Sequence, residues 1–114
     1  MQQGESLTLE FKSDAKCLPD CDLIAAVVSL ANTNGGSLIL GVEGSGEVTG
    51  LHRKHQSMQG LSAFIANKTT PPVFVEVIGH QLDDCTIAQI IVQKSRQLIS
   101  TSEDLLQHRR FVVA

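Results

Sequence analysis

Alternating apolar and polar residues predict where the chain is extended. Over residues 6–12, leucine and phenylalanine alternate with polar residues, which predicts a half-buried strand with Glu10 and Lys12 on the face opposite the apolar side chains. The run 37–42 is apolar on both faces, as is typical of a central strand. Further extended segments are predicted at 47–51, 73–77, 86–92, 98–99 and 111–113.

Helical spacing of apolar residues appears in two places. The first stretch begins at Pro19, a residue suited to a first helical turn, and ends near Gly35, which suits a position needing positive φ. The second and weaker stretch covers 55–67 and stops before Pro71. The predicted order β-α-β-β-α-β-β therefore indicates an α+β domain in which two main helices pack on one mixed sheet.

Length and composition favour one globular domain over residues 1–114. Apolar residues make up 42% of the chain and charged residues 18%, which is ordinary for a folded protein. The absence of a signal-peptide pattern and of a long apolar run favours a cytoplasmic protein. The apolar C-terminal residues favour a fragment of a longer protein with further domains. An odd number of cysteines argues for reduced thiols, at Cys17, Cys21 and Cys85.

The formal net charge of −3 means that any surface for a phosphate backbone must be local. Small basic clusters could nevertheless contact phosphates, and charge-assisted contacts of that kind position a backbone without reading bases. Most of the four phenylalanines are interpreted as core residues, so recognition would rest on phosphate and shape, and simple solvated charge is the alternative. The candidate nucleic-acid-binding residues are Lys12, Lys16, Arg53, Lys54, Arg109 and Arg110.

Three carboxylates form a second candidate site. If Glu5, Glu10 and Glu43 converge, they could hold Mg²⁺ or Mn²⁺, which prefer oxygen ligands and can activate water at a phosphate. They meet only if the first strand lies beside the central one. In the alternative, Glu10 pairs with Lys12 or another basic residue, and Glu43 is a solvated turn residue.

Other motifs carry less weight. The glycines over 41–50 lack a Walker lysine and precede a β-rich segment, so they favour a hairpin turn over a nucleotide site. Cys17-x3-Cys21 and His52-x2-His55 contain zinc-ligand types, but the cysteines flank a helix start, where small buried thiols are ordinary. No thiol is specifically paired with a histidine as a nucleophile would be.

Four motifs stand out when the chain is considered whole: Glu5-x4-Glu10-Phe11-Lys12, Leu30-Ala-Asn-Thr-Asn-Gly-Gly36, Leu38-Ile-Leu-Gly-Val-Glu43 and Val48-x-Gly50. Together they resemble the Schlafen-type AlbA-like domain, also called the divergent AAA domain. The resemblance covers nearly the whole chain and implies an AlbA-like fold. It further implies a nucleic-acid-binding module, for DNA or RNA, of a transcriptional-regulator-like protein.

The resemblance also implies an alternative enzymatic function. Some Schlafen proteins are tRNA and rRNA endoribonucleases with two glutamates and an aspartate, and by motif these fall on Glu5, Glu10 and Glu43. The third position departs from the pattern, because it is a glutamate where those enzymes have an aspartate. The extra methylene changes the reach of the carboxylate. Those enzymes use paired lobes, so this chain would need a homodimer to form a comparable groove. Two further alternatives for the function remain: a dimerisation or interaction domain, and the ATP-binding domain that the label 'divergent AAA' implies.

Overall fold

The computed structural model describes residues 8–82 and 84–101. Its elements are β1 (Thr8–Lys12), α1 (Asp20–Ala31), β2 (Gly36–Leu40), a 3-10 helix (Arg53–His55), α2 (Met58–Asn67), β3 (Thr69–Thr70), β4 (Glu76–Leu82), β5 (Cys85–Val92) and β6 (Ser100–Thr101). Four of these strands form a mixed sheet in the order β1-β2-β5-β4, with β1 and β2 parallel and the other neighbours antiparallel. The two shortest strands, β3 and β6, pair separately. The predicted α+β architecture is confirmed.

The first helix and its connection to β2 follow from the sequence. Pro19 occupies the N-cap position with φ −59°, and two acidic residues in the first turn suit the positive end of the helix dipole. After the last turn Gly35 adopts φ +74° and its N–H donates to the Leu30 carbonyl at 2.7 Å. A Cβ atom on Gly35 would lie 2.7 Å from the Val92 carbonyl oxygen. Glycine is therefore required at this position for both conformation and space.

The core lies between the two helices and one face of the sheet. Leu38, Leu40 and Ile90 supply fully buried side chains from the central strands, and α2 adds Leu61 and Ile65. Both helices therefore cover the same face of the sheet, in agreement with two packed layers. No helix of the described part of the chain is long and apolar enough to cross a membrane.

The predicted orientation of β1 is wrong. Register pairs Glu10 with Leu38 and Lys12 with Leu40, so the charged residues share the face that the helices cover. Leu9 and Phe11 lie on the other face, 62% and 38% exposed. Alternation shows which residues share a face of a strand but does not show which face of the sheet is covered. The edge position of β1 then lets the ends of the charged side chains reach water.

Other element boundaries also differ from the prediction. The expected strand over 47–51 is reduced, among the described residues, to one bridge between Val42 and Val48, in a glycine-rich loop whose residues favour turns. The strand predicted at 73–77 begins three residues later, because the Val73 N–H donates to the Thr69 hydroxyl at 2.8 Å and not to a neighbouring strand. The second helix begins at Met58, because the Ser57 hydroxyl caps it by accepting from the Gly60 N–H at 2.9 Å. A strand at 100–101 replaces the one predicted at 98–99, and 111–113 lies outside the described residues.

Candidate functional site

A fully buried carboxylate organises the end of the sheet where β1 finishes. Asp14 accepts hydrogen bonds from the backbone N–H groups of Leu18 at 2.7 Å and His52 at 2.8 Å. The Nδ1 atom of His55 lies 2.9 Å from both carboxylate oxygens. These contacts join the turn after β1 to the 3-10 helix, which is 41 residues further along the chain. A buried carboxylate of this kind requires such donors, because it would otherwise lose its hydration without compensation.

Local contacts hold the 3-10 helix at this end of the sheet. The Leu51 N–H donates to the Thr86 carbonyl of β5 at 2.8 Å. The next residue, His52, caps the helix, since its Nδ1 accepts from the Lys54 N–H at 3.2 Å. The helix therefore lies beside the end of β1, with the basic residues Arg53 and Lys54 exposed to solvent.

Four of the six candidate nucleic-acid-binding residues are brought to this region. Lys16 is exposed in the turn after β1, and Arg53 and Lys54 are exposed on the segment that Asp14 joins to that turn. Within residues 8–82 and 84–101, none of these three cations has a carboxylate within ion-pair distance. The fourth, Lys12, lies 3.5 Å from a carboxylate oxygen of Glu10. We call Lys16, Arg53 and Lys54 the basic cluster; Arg109 and Arg110 lie outside the described residues.

The carboxylate of Glu43 is held at the same end of the sheet. Its Oε2 atom accepts hydrogen bonds from the Ser13 hydroxyl at 2.6 Å and the Thr49 hydroxyl at 2.7 Å. The bond from Ser13, followed by the one from Thr49, lowers the pKa of Glu43 below its usual value, against a smaller opposing effect of desolvation. Glu43 is therefore ionised at neutral pH and fixed in orientation, whereas the sequence suggested a solvated turn residue as the alternative to a ligand.

The predicted carboxylate site is only partly assembled by the described residues. Its geometric condition is met, because β1 and β2 are adjacent and parallel. However, Ser13 rather than Glu10 is the residue of this segment that contacts Glu43. The backbone positions of Glu10 and Ser13 are three residues apart, which is about 10 Å in an extended chain. Glu10 instead pairs with Lys12, which was the alternative given by the sequence. Glu5 lies outside the described residues.

Comparison with known families decides the identity of the fold. The family model described as Schlafen, AlbA_2 matches residues 5–112, almost the entire chain. The chain belongs to the Schlafen, AlbA_2 family. Among curated proteins, none matches it.

Two solved structures resemble this Schlafen, AlbA_2 domain. The DIP2311 protein from Corynebacterium diphtheriae superposes with a TM-score of 0.72 and 22% sequence identity, over 91% of this chain and 20% of that chain. The N-terminal domain of a RecG-related protein from Nitrosomonas europaea superposes with a TM-score of 0.60 and 17% identity, over 90% of this chain and 73% of that chain. The domain therefore spans about a fifth of the length of the DIP2311 protein. At identities this low, the two superpositions show a shared fold alone.

The AlbA_2 domain also exposes an aromatic residue, although most of its phenylalanines were predicted to lie in the core. Phe74 is 78% exposed and lines a groove of about 300 Å³, together with Lys94 and Arg96. This groove lies at the opposite end of β5 from the basic cluster, because Lys94 follows the last residue of that strand. The alternation of Phe74 with its buried neighbour Val73 is the signal that could have indicated an outward-facing ring.

A second group missed from the sequence is centred on Asp14. A carboxylate oxygen of Asp14, the Sγ atom of Cys17 and a ring nitrogen of His55 all lie within 4.8 Å of one another. From the sequence, Cys17, Cys21, His52 and His55 were weighed as zinc-ligand types, a zinc site was not favoured, and Asp14 was not considered. Cys21 is exposed, and its Sγ atom lies 3.8 Å from a carboxylate oxygen of Asp22. The spacing Asp14-x2-Cys17 was the available signal. The contact between Asp14 and His55, which are 41 residues apart in sequence, depends on the tertiary fold.

Proposed function

We propose that this Schlafen, AlbA_2 domain is a nucleic-acid-binding module that contacts phosphates through the basic cluster. The observation that carries the proposal is the set of hydrogen bonds made by Asp14. They join two segments that are distant in sequence, and these segments present Lys16, Arg53 and Lys54 without carboxylate partners among the described residues. Exposed cations concentrated on one part of a surface attract phosphate even on a protein whose net charge is negative.

The family and one structural neighbour support the same class of partner. The RecG-related protein from Nitrosomonas europaea is named for its relation to an ATP-dependent DNA helicase. From the resemblance of the motifs, we also propose that the domain is part of a transcriptional-regulator-like protein. We include Lys12, Arg109 and Arg110 in the proposal as further phosphate contacts. We also propose that a homodimer presents two basic clusters to one nucleic acid, as the paired lobes of Schlafen proteins imply.

The test is a binding assay with charge-matched variants. Fluorescence anisotropy with labelled single- and double-stranded oligonucleotides measures affinity at low salt, and sedimentation in the same buffer measures the oligomeric state. Lys16→Glu with Arg53→Glu is expected to abolish or strongly weaken binding. Lys94→Glu with Arg96→Glu changes the net charge equally at the opposite end of β5 and is expected to retain most of the affinity. Equal losses in both double variants would refute the assignment of the basic cluster, and no binding by the unmodified protein would refute the function.

The second candidate is a metal-dependent endoribonuclease that uses Glu5, Glu10 and Glu43 with Mg²⁺ or Mn²⁺. The observation in its favour is Glu43: both hydrogen bonds from neighbouring hydroxyls reach Oε2, so Oε1 of an oriented, ionised carboxylate has no hydrogen bond from the described residues. Incubation with tRNA and Mn²⁺ tests this function. Cleavage that Glu10→Gln abolishes would support the enzyme, whereas intact tRNA leaves the binding module as the function.

A further inference from the structure

We propose that Asp14, Cys17 and His55 form a zinc-binding site. Their carboxylate oxygen, sulfur and ring nitrogen lie within 4.8 Å of one another. Oxygen, thiolate and imidazole are the three donor types that zinc accepts in proteins, and three protein ligands are sufficient when water takes the fourth position. Calcium and magnesium prefer sets made of oxygen alone, so a set containing sulfur and nitrogen selects zinc over them.

The fold places the first two ligands as a pair. The Cys17 N–H donates to the Asp14 carbonyl at 3.0 Å, which closes a tight turn and brings residues three apart to the same side of it. Two intervening residues are within the usual spacing for paired zinc ligands. His55 then approaches from the 3-10 helix, so the set closes a loop between two distant segments. Ion binding there would add to the contacts that hold those segments together.

The backbone at Cys17 gives additional support. Among the described residues it is the one non-glycine residue with φ in the left-handed region, at 63°. A conformation of this kind costs of order 1–3 kcal/mol and concentrates at functional sites. Glycine would adopt it without that cost, so the presence of cysteine indicates a use for the side chain. Cys17 is half-buried, which leaves the set accessible to an ion from solvent.

Only a small movement would be needed to bind the ion. Tetrahedral zinc holds such ligand atoms about 3.3–3.6 Å apart, so the widest separation must close by about 1.5 Å or less. The 2.9 Å contact between Asp14 and His55 must open slightly as the ion replaces the hydrogen between them, so binding releases protons. The N–H groups of Leu18 and His52 can remain on Asp14 and orient it, as partners of a metal ligand do.

Cobalt substitution tests the site directly. The metal-free chain of residues 1–114, titrated with Co²⁺, is expected to bind one ion and to show a sulfur-to-cobalt charge-transfer band with the visible bands of tetrahedral cobalt. Cys17→Ser should remove the charge-transfer band, while Cys21→Ser and Cys85→Ser should retain it. No such band in the unmodified chain, or a band that survives Cys17→Ser, would overturn the site.

A second measurement uses the unmodified chain and therefore requires no substitution. Alkylation of each thiol in the unmodified chain is followed by mass spectrometry with and without Zn²⁺. At ten times its Kd, zinc should slow modification of Cys17 about tenfold by mass action and leave that of Cys21 unchanged. An unchanged rate at Cys17 across the zinc titration would overturn the proposal. The zinc site does not depend on the proposed nucleic-acid binding, and these readouts distinguish the failure of one from the failure of the other.

Discussion

Replacing Asp14 by alanine removes the acceptor for three donors at once. The N–H groups of Leu18 and His52 and the Nδ1 atom of His55 all lie 2.7–2.9 Å from its carboxylate. An unsatisfied buried donor costs about 1–3 kcal/mol. Removing one partner of a buried pair typically costs about 3–5 kcal/mol, and we expect a loss in that range because some of the freed groups will gain water. Such a loss is a large part of the roughly 5–15 kcal/mol that stabilises an ordinary domain.

Urea denaturation in the presence of EDTA measures this loss without a contribution from bound metal. At an m-value of about 1.5 kcal/mol/M, a loss of about 3 kcal/mol lowers the unfolding midpoint by about 2 M. Asp20→Ala is the matched control, because Asp20 is exposed in the first turn of α1 and contributes at most about 1 kcal/mol through the helix dipole. A midpoint for Asp14→Ala within about 0.5 M of the unmodified chain would refute the view that this carboxylate organises the site.

Three further predictions test separate parts of the account. Ser13→Ala should raise the pKa of Glu43, as measured by NMR titration, because it removes the hydrogen bond that lowers that pKa most. In the unmodified chain the lowered pKa of Glu43 stabilises the fold at pH values above the pKa of the unfolded state, and this stabilisation is lost as the pH falls through the pKa of the folded state. Gly35→Ala should destabilise the domain by more than about 2 kcal/mol in thermal unfolding, through its φ of +74° and the lack of space, whereas Gly44→Ala, in open space, should be nearly neutral. Phe74→Ser should change the free energy of unfolding by less than about 0.5 kcal/mol. Truncation of a phenylalanine in the core would instead lower it by about 3–5 kcal/mol.

Local signals in the sequence predicted most of the fold. Helix α1 combines a proline at its start, a broad apolar stripe and a glycine at its end, so its bounds could be predicted from neighbouring residues alone. The central strand β2 was equally clear because it is apolar on both faces. The orientation of β1 was not, since the periodicity of a half-buried strand is the same whichever face the helices cover. Composition indicated only that most of the phenylalanines lie in the core, whereas the exposure of Phe74 depends on the tertiary fold.

The candidate site was predictable only in part. Motifs identified Glu43 and the basic residues, but no pattern showed that Ser13 would orient the carboxylate. Asp14 was not singled out from the sequence, although its carboxylate accepts from two backbone N–H groups and lies 2.9 Å from His55 Nδ1. Its partner His55 is 41 residues away, and long-range pairs of this kind leave no periodic signal in a single sequence.

The salt dependence of nucleic-acid binding measures how many phosphates the basic cluster contacts. The three phosphate contacts of each basic cluster should contribute about −2 to −3, for each protomer bound, to the slope of the logarithm of the association constant against the logarithm of salt concentration. Lys16→Glu with Arg53→Glu removes two of these contacts and should make the slope less negative by about 1.5–2 for each protomer, if binding remains measurable, while the charge-matched pair Lys94→Glu with Arg96→Glu should keep the original slope. Binding that is insensitive to salt, or a slope that only the second pair changes, would contradict the account.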